Sequence, residues 1–323
     1  MFKDSKIYVA GHTGLLGSAL LKRLGSEGYG NIVTRTRDEL DLTDQAQVEG
    51  FFKKERPEYV FLAAGLTGGI IANKTWPAWF FHTNISIQDN VFEACRRYEV
   101  ERMVYYGSSC IYPKGYPQPM KEEYLMAGPV EETSEAYAVA KIAGITACRA
   151  YNKEDGVARF IALVPNSMYG PNDNFSIEGS HVLSAVIRKL NDAKEEGRDR
   201  VVLWGSGRPL REFLFSADAA DASIFAVNNA QDLEDTHYNI GSGFECTIME
   251  LADTIAKVAG YQGAIEWDAE KPDGAKRKLL DSTRFTSLGW APKTALKEGI
   301  AATYEWYSEN LSKGALCTQQ QGN

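Results

Sequence analysis

Tyr137 and Lys141 stand four residues apart in YAVAK, a spacing that puts both side chains on one face of a helix. An ammonium beside a phenol stabilises the phenolate and lowers a pKa that is about 10 in model compounds. Tyr137 is therefore expected to exchange a proton with a substrate oxygen near neutral pH. Ser108, at the end of the strand-like run YYGSS, is placed to give that oxygen a second hydrogen bond. A Y-x-x-x-K pair alone is common on exposed helices. Here it follows a glycine turn and the strand-end serine, in the order and at about the separation of consecutive βα units.

The glycine turn is GHTGLLG, with Gly11, Gly14 and Gly17 spaced three apart directly after a strand and at the opening of a helix. Glycine there lets the backbone turn tightly and approach a pyrophosphate, whose charge meets the helix N-terminal amides. After the second strand, where an NAD-preferring chain presents an acid to the ribose, the residues are Thr34-Arg35-Thr36-Arg37. A guanidinium suits a 2′-phosphate, so NADP(H) is the expected cofactor; the competing reading pairs Arg35 and Arg37 with Asp38 and Glu39.

Elements that hold these groups follow from periodicity. Strands are predicted at 6–10, 31–35, 59–64, 103–106 and 160–164, and helices at 18–24, 45–54, 87–98 and 137–151. YVFLAA at 59–64 is apolar enough to be buried on both faces. Alternation of this kind specifies an α/β fold, a Rossmann-type doubly wound parallel sheet. After Pro165 the texture changes to loops with helices at 182–190, 248–258 and 296–310, which predicts a smaller C-terminal substrate lobe. The expected division is a nucleotide-binding domain over 1–165, to which later segments return, a mainly substrate-binding lobe over 166–315, and a flexible tail over 316–323.

Thirty-five basic against 43 acidic residues give a net charge of −8, which argues against a nucleic-acid or anionic-membrane surface. The N-terminus lacks an apolar leader core, and nowhere do about 18 consecutive apolar residues occur, so a cytoplasmic protein is expected. Cys95, Cys110, Cys148, Cys246 and Cys317 are odd in number, widely spaced and without a C-x-x-C pair, so they read as free thiols and no metal site is expected.

Taken together, GHTGLLG, RTRDELDL, GSSCIYPK, EAYAVAKIAG, YGPNDNF with a following SHV, VVLWGSGRPLREFL and KPDGAKRKLLD resemble the GDP-L-fucose synthases, extended short-chain dehydrogenase/reductases that act as 3,5-epimerase/4-reductases on GDP-4-keto-6-deoxy-D-mannose. The resemblance runs in unbroken order from about Ile7 to Asn310. It implies that Ser108, Tyr137 and Lys141 carry the reduction, while Cys110 and His181 exchange protons at the carbons flanking the ketone. The chemistry is sound, because a C4 ketone acidifies the C3 and C5 hydrogens, a thiolate is a competent base, and imidazolium can return the proton on the opposite face.

The same resemblance implies a cofactor set of Gly11, His12, Thr13, Gly14, Leu15, Leu16, Gly17, Arg37, Asp41, Leu42, Ala64, Tyr106, Gly107, Ser108, Ser109, Tyr137, Lys141, Pro165, Asn166, Ser167, Met168 and His181. Lys189, Trp204, Arg211 and Asp273 are implied for the GDP-sugar, with Arg211 suited to the diphosphate. Relatives with this fold often pair through the Y-x-x-x-K helix and its predecessor, which implies a homodimer.

Three departures stand out. Lys189 replaces a more usual arginine and loses the bidentate fork. Thr13 replaces a commonly basic residue, and Pro165-Asn166-Ser167-Met168-Tyr169 replaces P-T-N-x-Y, removing an asparagine expected near the sugar. A dehydratase would use the same fold with a carboxylate pair after the strand-end serine, where this chain has Ser109-Cys110-Ile111. A non-enzymatic NADP(H) sensor has no need of both Tyr137 and Lys141. Reductases or epimerase/reductases of the GDP-colitose and GDP-heptose routes carry similar motifs and remain the alternative.

Overall fold

The structure is a computed structural model that describes residues 1–176, 179–233, 237–271 and 273–312. Cys317 and the expected tail over 316–323 lie outside the described residues. The first half runs β1 (Ile7–Ala10), α1 (Leu15–Ser26), β2 (Ile32–Val33), α2 (Gln45–Glu55), β3 (Tyr59–Leu62), α3 (Ile70–Thr75), α4 (Pro77–Arg97), β4 (Arg102–Tyr106), α5 (Glu135–Asp155) and β5 (Phe160–Pro165). The second half runs β6 (Ser167–Tyr169), α6 (Val182–Glu195), β7 (Arg200–Trp204), β8 (Leu210–Phe215), α7 (Ser216–Asn228), β9 (His237–Ile240), β10 (Glu245–Thr247), α8 (Ile248–Ala259), β11 (Ala264–Asp268), β12 (Arg277–Lys278), α9 (Thr283–Thr286) and α10 (Leu296–Ser312).

Six strands form one parallel sheet in the order β2-β1-β3-β4-β5-β9. Side chains alternate along each strand, and β1 shows the result. Ile7 and Val9 point into a layer with Leu16, Leu20 and Leu24 of α1 and Ala219, Ala222 and Ile224 of α7. Tyr8 and Ala10 point into the opposite layer with Phe52 of α2, Val91 and Phe92 of α4 and Ile145 of α5. Both faces are thus covered, the doubly wound arrangement that the alternating pattern predicts. A third cluster joins α6, α8 and α10 through Ile187, Leu190, Leu251, Ile255 and Tyr307, around the short strands of the second lobe.

Several elements differ from expectation. The helix expected over 87–98 begins ten residues earlier at Pro77, where proline suits the first helical position. Its early turns bury Thr83, Asn84 and Gln88, polar residues that interrupt the apolar stripe. Two of them are paired through their amides: Asn84 donates to the carbonyls of Leu66 and Phe80, and Gln88 to that of Ala140. Helix α7 carried no signal because small residues bury it almost all round, leaving no amphipathic stripe. Strand β9 brings the chain back from the second lobe to the sheet edge beside β5. No helix among the described residues is long and apolar enough to cross a membrane.

Candidate active site

The cofactor turn is built by steric necessity. Gly11 has φ +78°, and a Cβ there would lie 2.7 Å from the main-chain nitrogen of Ala64. A Cβ on Gly17 would lie 2.1 Å from the Gly11 carbonyl oxygen, so α1 can start against the turn only with glycine at this position. Gly14 caps α1 without a side-chain hydrogen bond, which leaves the first amides of the helix, including those of Leu15 and Leu16, for an anion. His12 Nδ1 is buried in this turn with no hydrogen-bond partner. Open amides together with an unpaired imidazole nitrogen fit a pyrophosphate-bearing cofactor.

After β2 the two arginines diverge. Arg35 donates to Glu55 at 2.8 Å and to the Thr34 carbonyl at 2.7 Å, and its guanidinium lies 5.5 Å from the Phe51 ring centre. Glu39 accepts from the amide and hydroxyl of Thr36, and Arg35 acts on it through its charge alone. Arg37 is exposed, which leaves it as the cation available to a 2′-phosphate. The amide and hydroxyl of Thr43, with the Arg37 charge, hold the Asp41 carboxyl below the usual carboxylate range. Leu42 is buried and its carbonyl accepts from Asn90.

Strand β4 ends at Tyr106, and Gly107 donates to the Leu163 carbonyl at 2.8 Å on β5. This places Ser108, Ser109 and Cys110 at the carboxyl edge of the sheet. The Ser108 hydroxyl accepts from the Cys110 amide at 3.5 Å and is hydrogen-bonded to the Tyr137 phenol. Lys141, buried one helical turn beyond Tyr137, donates from Nζ to the Tyr106 carbonyl at 2.9 Å and lies 5.9 Å from the Tyr137 ring centre. The Phe80 ring meets Tyr137 edge-on, with centroids 6.2 Å apart. The structure therefore brings Ser108, Cys110, Tyr137 and Lys141 together.

Electrostatics correct one expectation. The Tyr137 phenol is not lowered: burial pushes it well above its ordinary value, Cys110 adds to the rise, and only Ser108 opposes it. Desolvation also pulls Lys141 down to about 8, with Cys110 opposing. Its ammonium is engaged by a carbonyl, so its charge is not aimed at the phenol alone. Cys110 is half-buried, reachable from the cleft yet crowded by protein. Burial raises its thiol, and Lys278, Ser108 and Lys141 each pull it back.

The second lobe supplies the facing wall. Arg211 on β8 lies in register with Lys278 on β12; burial depresses the Arg211 guanidinium and the Asp273 charge opposes this. Asp273 accepts from the amide and hydroxyl of Ser206 at 2.8 and 2.7 Å. Lys189 Nζ lies 5.2 Å and Lys271 Nζ 5.8 Å from the centre of the exposed Trp204 ring. Beside them a cavity of about 410 Å³ is lined by Lys189, Asp192, Asp199, Arg200 and Val202. His181 is exposed at the N-cap of α6, where its charge acts on the buried carboxyl of Asp173, which accepts from Ser184. Among the described residues it forms no hydrogen bond to the Ser108 set.

Of the strand-exit residues, Asn166 is buried and its amide is fully engaged. Nδ2 donates to Glu212 and to the Lys278 carbonyl, and Oδ1 accepts from the Ser167 amide. Pro165 closes β5, while Ser167 and Met168 lie half-buried on β6. Lys278, Glu212 and Asn84 also shape this neighbourhood, although no motif singles them out. Asn84 accepts from Leu66 at 3.1 Å and fixes the loop after β3, where a Cβ on Gly65 would lie 3.7 Å from Lys141 Nζ. The only sequence signal for Lys278 and Glu212 was their place inside the RKLLD and REFL runs.

Fold and site together define a nucleotide-cofactor enzyme of the NAD dependent epimerase/dehydratase family, whose profile matches residues 7–241. Within it the chain belongs to the GDP-L-fucose synthase family. It is 50% identical over 309 residues to GDP-L-fucose synthase 1 of Arabidopsis thaliana, covering 96% of this chain and 95% of that one. It is 46% identical over 315 residues to GDP-L-fucose synthase of Escherichia coli strain K12, covering 95% and 98%. A GDP-mannoheptose C4 reductase from Campylobacter jejuni, solved with NADP bound, superposes with a TM-score of 0.87 at 40% identity, covering 95% and 99%.

Proposed function

We propose that the chain is an NADPH-dependent 3,5-epimerase/4-reductase that converts GDP-4-keto-6-deoxy-D-mannose to GDP-L-fucose. The observation that carries this reading is the placement of Cys110 beside the Ser108–Tyr137–Lys141 set, a base and a proton donor around one point. Identity of 46–50% to GDP-L-fucose synthases over nearly the whole chain supports the sugar and the paired activities. The NADP-bound reductase at 40% identity supports the cofactor.

In this reading the turn of Gly11, Gly14 and Gly17 holds the pyrophosphate and Arg37 the 2′-phosphate; NADPH supplies the hydride. Arg211 meets the diphosphate, and Lys189, Trp204 and Asp273 line the rest of the GDP-sugar site. Cys110 removes the proton next to the ketone and His181 returns one from the lobe side. Ser108 and Tyr137 hydrogen-bond O4, Tyr137 delivers its proton there, and Lys141 keeps the donor end of the site positively charged.

Purified protein is incubated with NADPH and GDP-4-keto-6-deoxy-D-mannose, and the product is identified by NMR. GDP-L-fucose supports the reading; a product reduced at C4 without inversion at C3 and C5 overturns the epimerase part. The second reading, a GDP-heptose C4 reductase, draws on the Pro165-Asn166-Ser167 departure and the Campylobacter likeness. Faster turnover of a GDP-4-keto-heptose in the same assay favours it.

We also infer a cytoplasmic homodimer. Helices α4 and α5 lie against one another and expose Phe81 and Val139 on their outer sides, and Cys95, Cys110 and Cys246 form no disulfide among the described residues, as suits a reducing compartment. Light scattering on wild type and Val139→Glu tests the pairing: a dimer that the charge dissociates supports it, and a wild-type monomer overturns it.

A further inference from the structure

Glu212 is fully buried at the centre of β8, on the opposite side of the strand from its neighbour Arg211. Its carboxylate is a hub for three pieces of chain. Oε1 accepts from the Gly243 amide at 2.8 Å, and Oε2 accepts from the Leu280 amide at 3.1 Å and from Asn166 Nδ2. The main chain of Ser242 adds a further hydrogen bond. Gly241 leaves room for it, since a Cβ there would lie 2.3 Å from Oε1.

The three pieces come from both sides of the cleft. Asn166 is the first residue beyond β5, and residues 241–243 leave β9; both strands end at the carboxyl edge of the large sheet, where Ser108 also stands. Leu280 lies two residues beyond Lys278, whose strand runs in register with Arg211. Asn166 tightens the same joint by donating to the Lys278 carbonyl at 3.3 Å and from its own amide to Ile240 at 3.2 Å.

A buried carboxylate carries a large desolvation cost, and burial raises Glu212 even though every hydrogen bond it accepts opposes the rise. An apolar side chain would join two sheets without that cost. What the carboxylate adds is direction: it fixes four donors at set distances, and those donors set the spacing between the sheet edge and the strands carrying Arg211 and Lys278. We propose that Glu212 is a positioning residue for the reduction, holding the edge of the cofactor sheet against the substrate strands and so fixing the distance over which hydride passes.

This rests on the reductase reading, which the wild-type reaction with NADPH and the GDP-keto sugar tests in parallel. Glu212→Gln is isosteric but turns a donor toward Asn166 and the Leu280 amide. Its melting temperature, NADPH affinity, kcat and KM, and the isotope effect with NADPH deuterated at the transferred position are measured. Positioning predicts kcat at least tenfold down, KM and NADPH affinity within about threefold of wild type, and a larger isotope effect as hydride transfer becomes rate-limiting. Glu212→Asp, which keeps the charge on a shorter arm, is expected between the two in kcat, and it is the deciding variant if Glu212→Gln does not fold. A folded variant with wild-type kcat, or a kcat loss matched by an equal loss of NADPH affinity, overturns the proposal. A wild type that reduces no keto sugar refutes the reductase reading instead.

Discussion

The ammonium of Lys141 donates to the main-chain carbonyl of Tyr106 at 2.9 Å, tying the helix that carries Tyr137 to the last residue of the strand that leads into Ser108. The bond fixes donor and strand end relative to one another before any ligand arrives. It also buries a charge, and desolvation lowers Lys141 to about 8. Since kcat/KM reports ionisations of the free enzyme, it is expected to fall as pH rises through about 8, where the ammonium is lost. In Lys141→Arg, whose charge persists, residual activity should show no such alkaline limb. A wild-type profile flat to pH 9.5 removes Lys141 charge from the reaction.

Tyr137→Phe keeps the ring that Phe80 contacts and removes only the hydroxyl bonded to Ser108. Loss of a proton donor typically costs about 100-fold to 10,000-fold in rate. NADPH oxidation should fall by that much, with cofactor affinity by fluorescence titration within about twofold of wild type. Near-normal turnover would exclude the phenol as donor.

The parts of this site that lie within one βα unit were legible in the sequence. Gly11 and Gly17 carry a steric requirement that no other residue meets, and Tyr137 and Lys141 share a helix face by spacing alone. The groups brought in by distant crossings were not. Lys278 reaches Cys110 only because a two-residue strand pairs with β8, and two residues give no periodicity to read. Glu212 sits in an ordinary-looking strand, and its meaning appears only when Asn166, Gly243 and Leu280 converge on it. The phenol departs from expectation for a related reason: spacing places Lys141 beside Tyr137 but does not measure how dry the site is.

Arg37 is exposed, whereas Arg35 is held by Glu55. Arg37→Ala should therefore raise the NADPH KM by about tenfold or more, the scale of one lost charge-assisted hydrogen bond, and leave NADH almost unaffected. Arg35→Ala should lower the melting temperature, through lost ion-pair and ring contacts, more than it changes the ratio of the two cofactors. Equal losses for NADPH and NADH in Arg37→Ala would assign that residue to the fold.

His237 opens β9 and is buried, and desolvation pulls it down to about 4, with the charges of Arg149 and Arg284 contributing. Asn239 Nδ2 donates to the carbonyls of Met120 and Asp281, so its Oδ1 accepts from the Tyr112 hydroxyl at 2.5 Å. The Tyr112 oxygen then accepts from His237 Nε2 at 3.0 Å, which makes His237 the Nε2-protonated tautomer and leaves Nδ1 without a partner. A folded value below the unfolded 6.5 means stability that is full above pH 6.5 and lost as pH falls through 4, about 3 kcal/mol across the window. Denaturant titrations at pH 7 and pH 4.5 should show this loss in wild type and less of it in His237→Gln. An equal loss in both would place the acid sensitivity elsewhere.

Cys110 gives the sharpest test, because reduction needs only a proton donor and hydride whereas epimerisation needs a base beside the ketone. Burial holds its thiol up, and Lys278, Ser108 and Lys141 pull it down, so the thiolate forms at a point ringed by positive charge and a hydroxyl. Cys110→Ser is nearly isosteric and should leave the fold and cofactor site intact. A hydroxyl, however, is a far poorer base at neutral pH than a thiol, whose ordinary pKa is about 8.5. Epimerisation should therefore fail before reduction does. In deuterated water the wild type should place solvent deuterium at C3 and C5 of the keto sugar. The variant should show little exchange and should still slowly reduce the unepimerised ketone, giving a 6-deoxy-D-sugar of different configuration. Unchanged exchange in Cys110→Ser would refute the thiol as base, and absent exchange in the wild type would make the protein a simple 4-reductase.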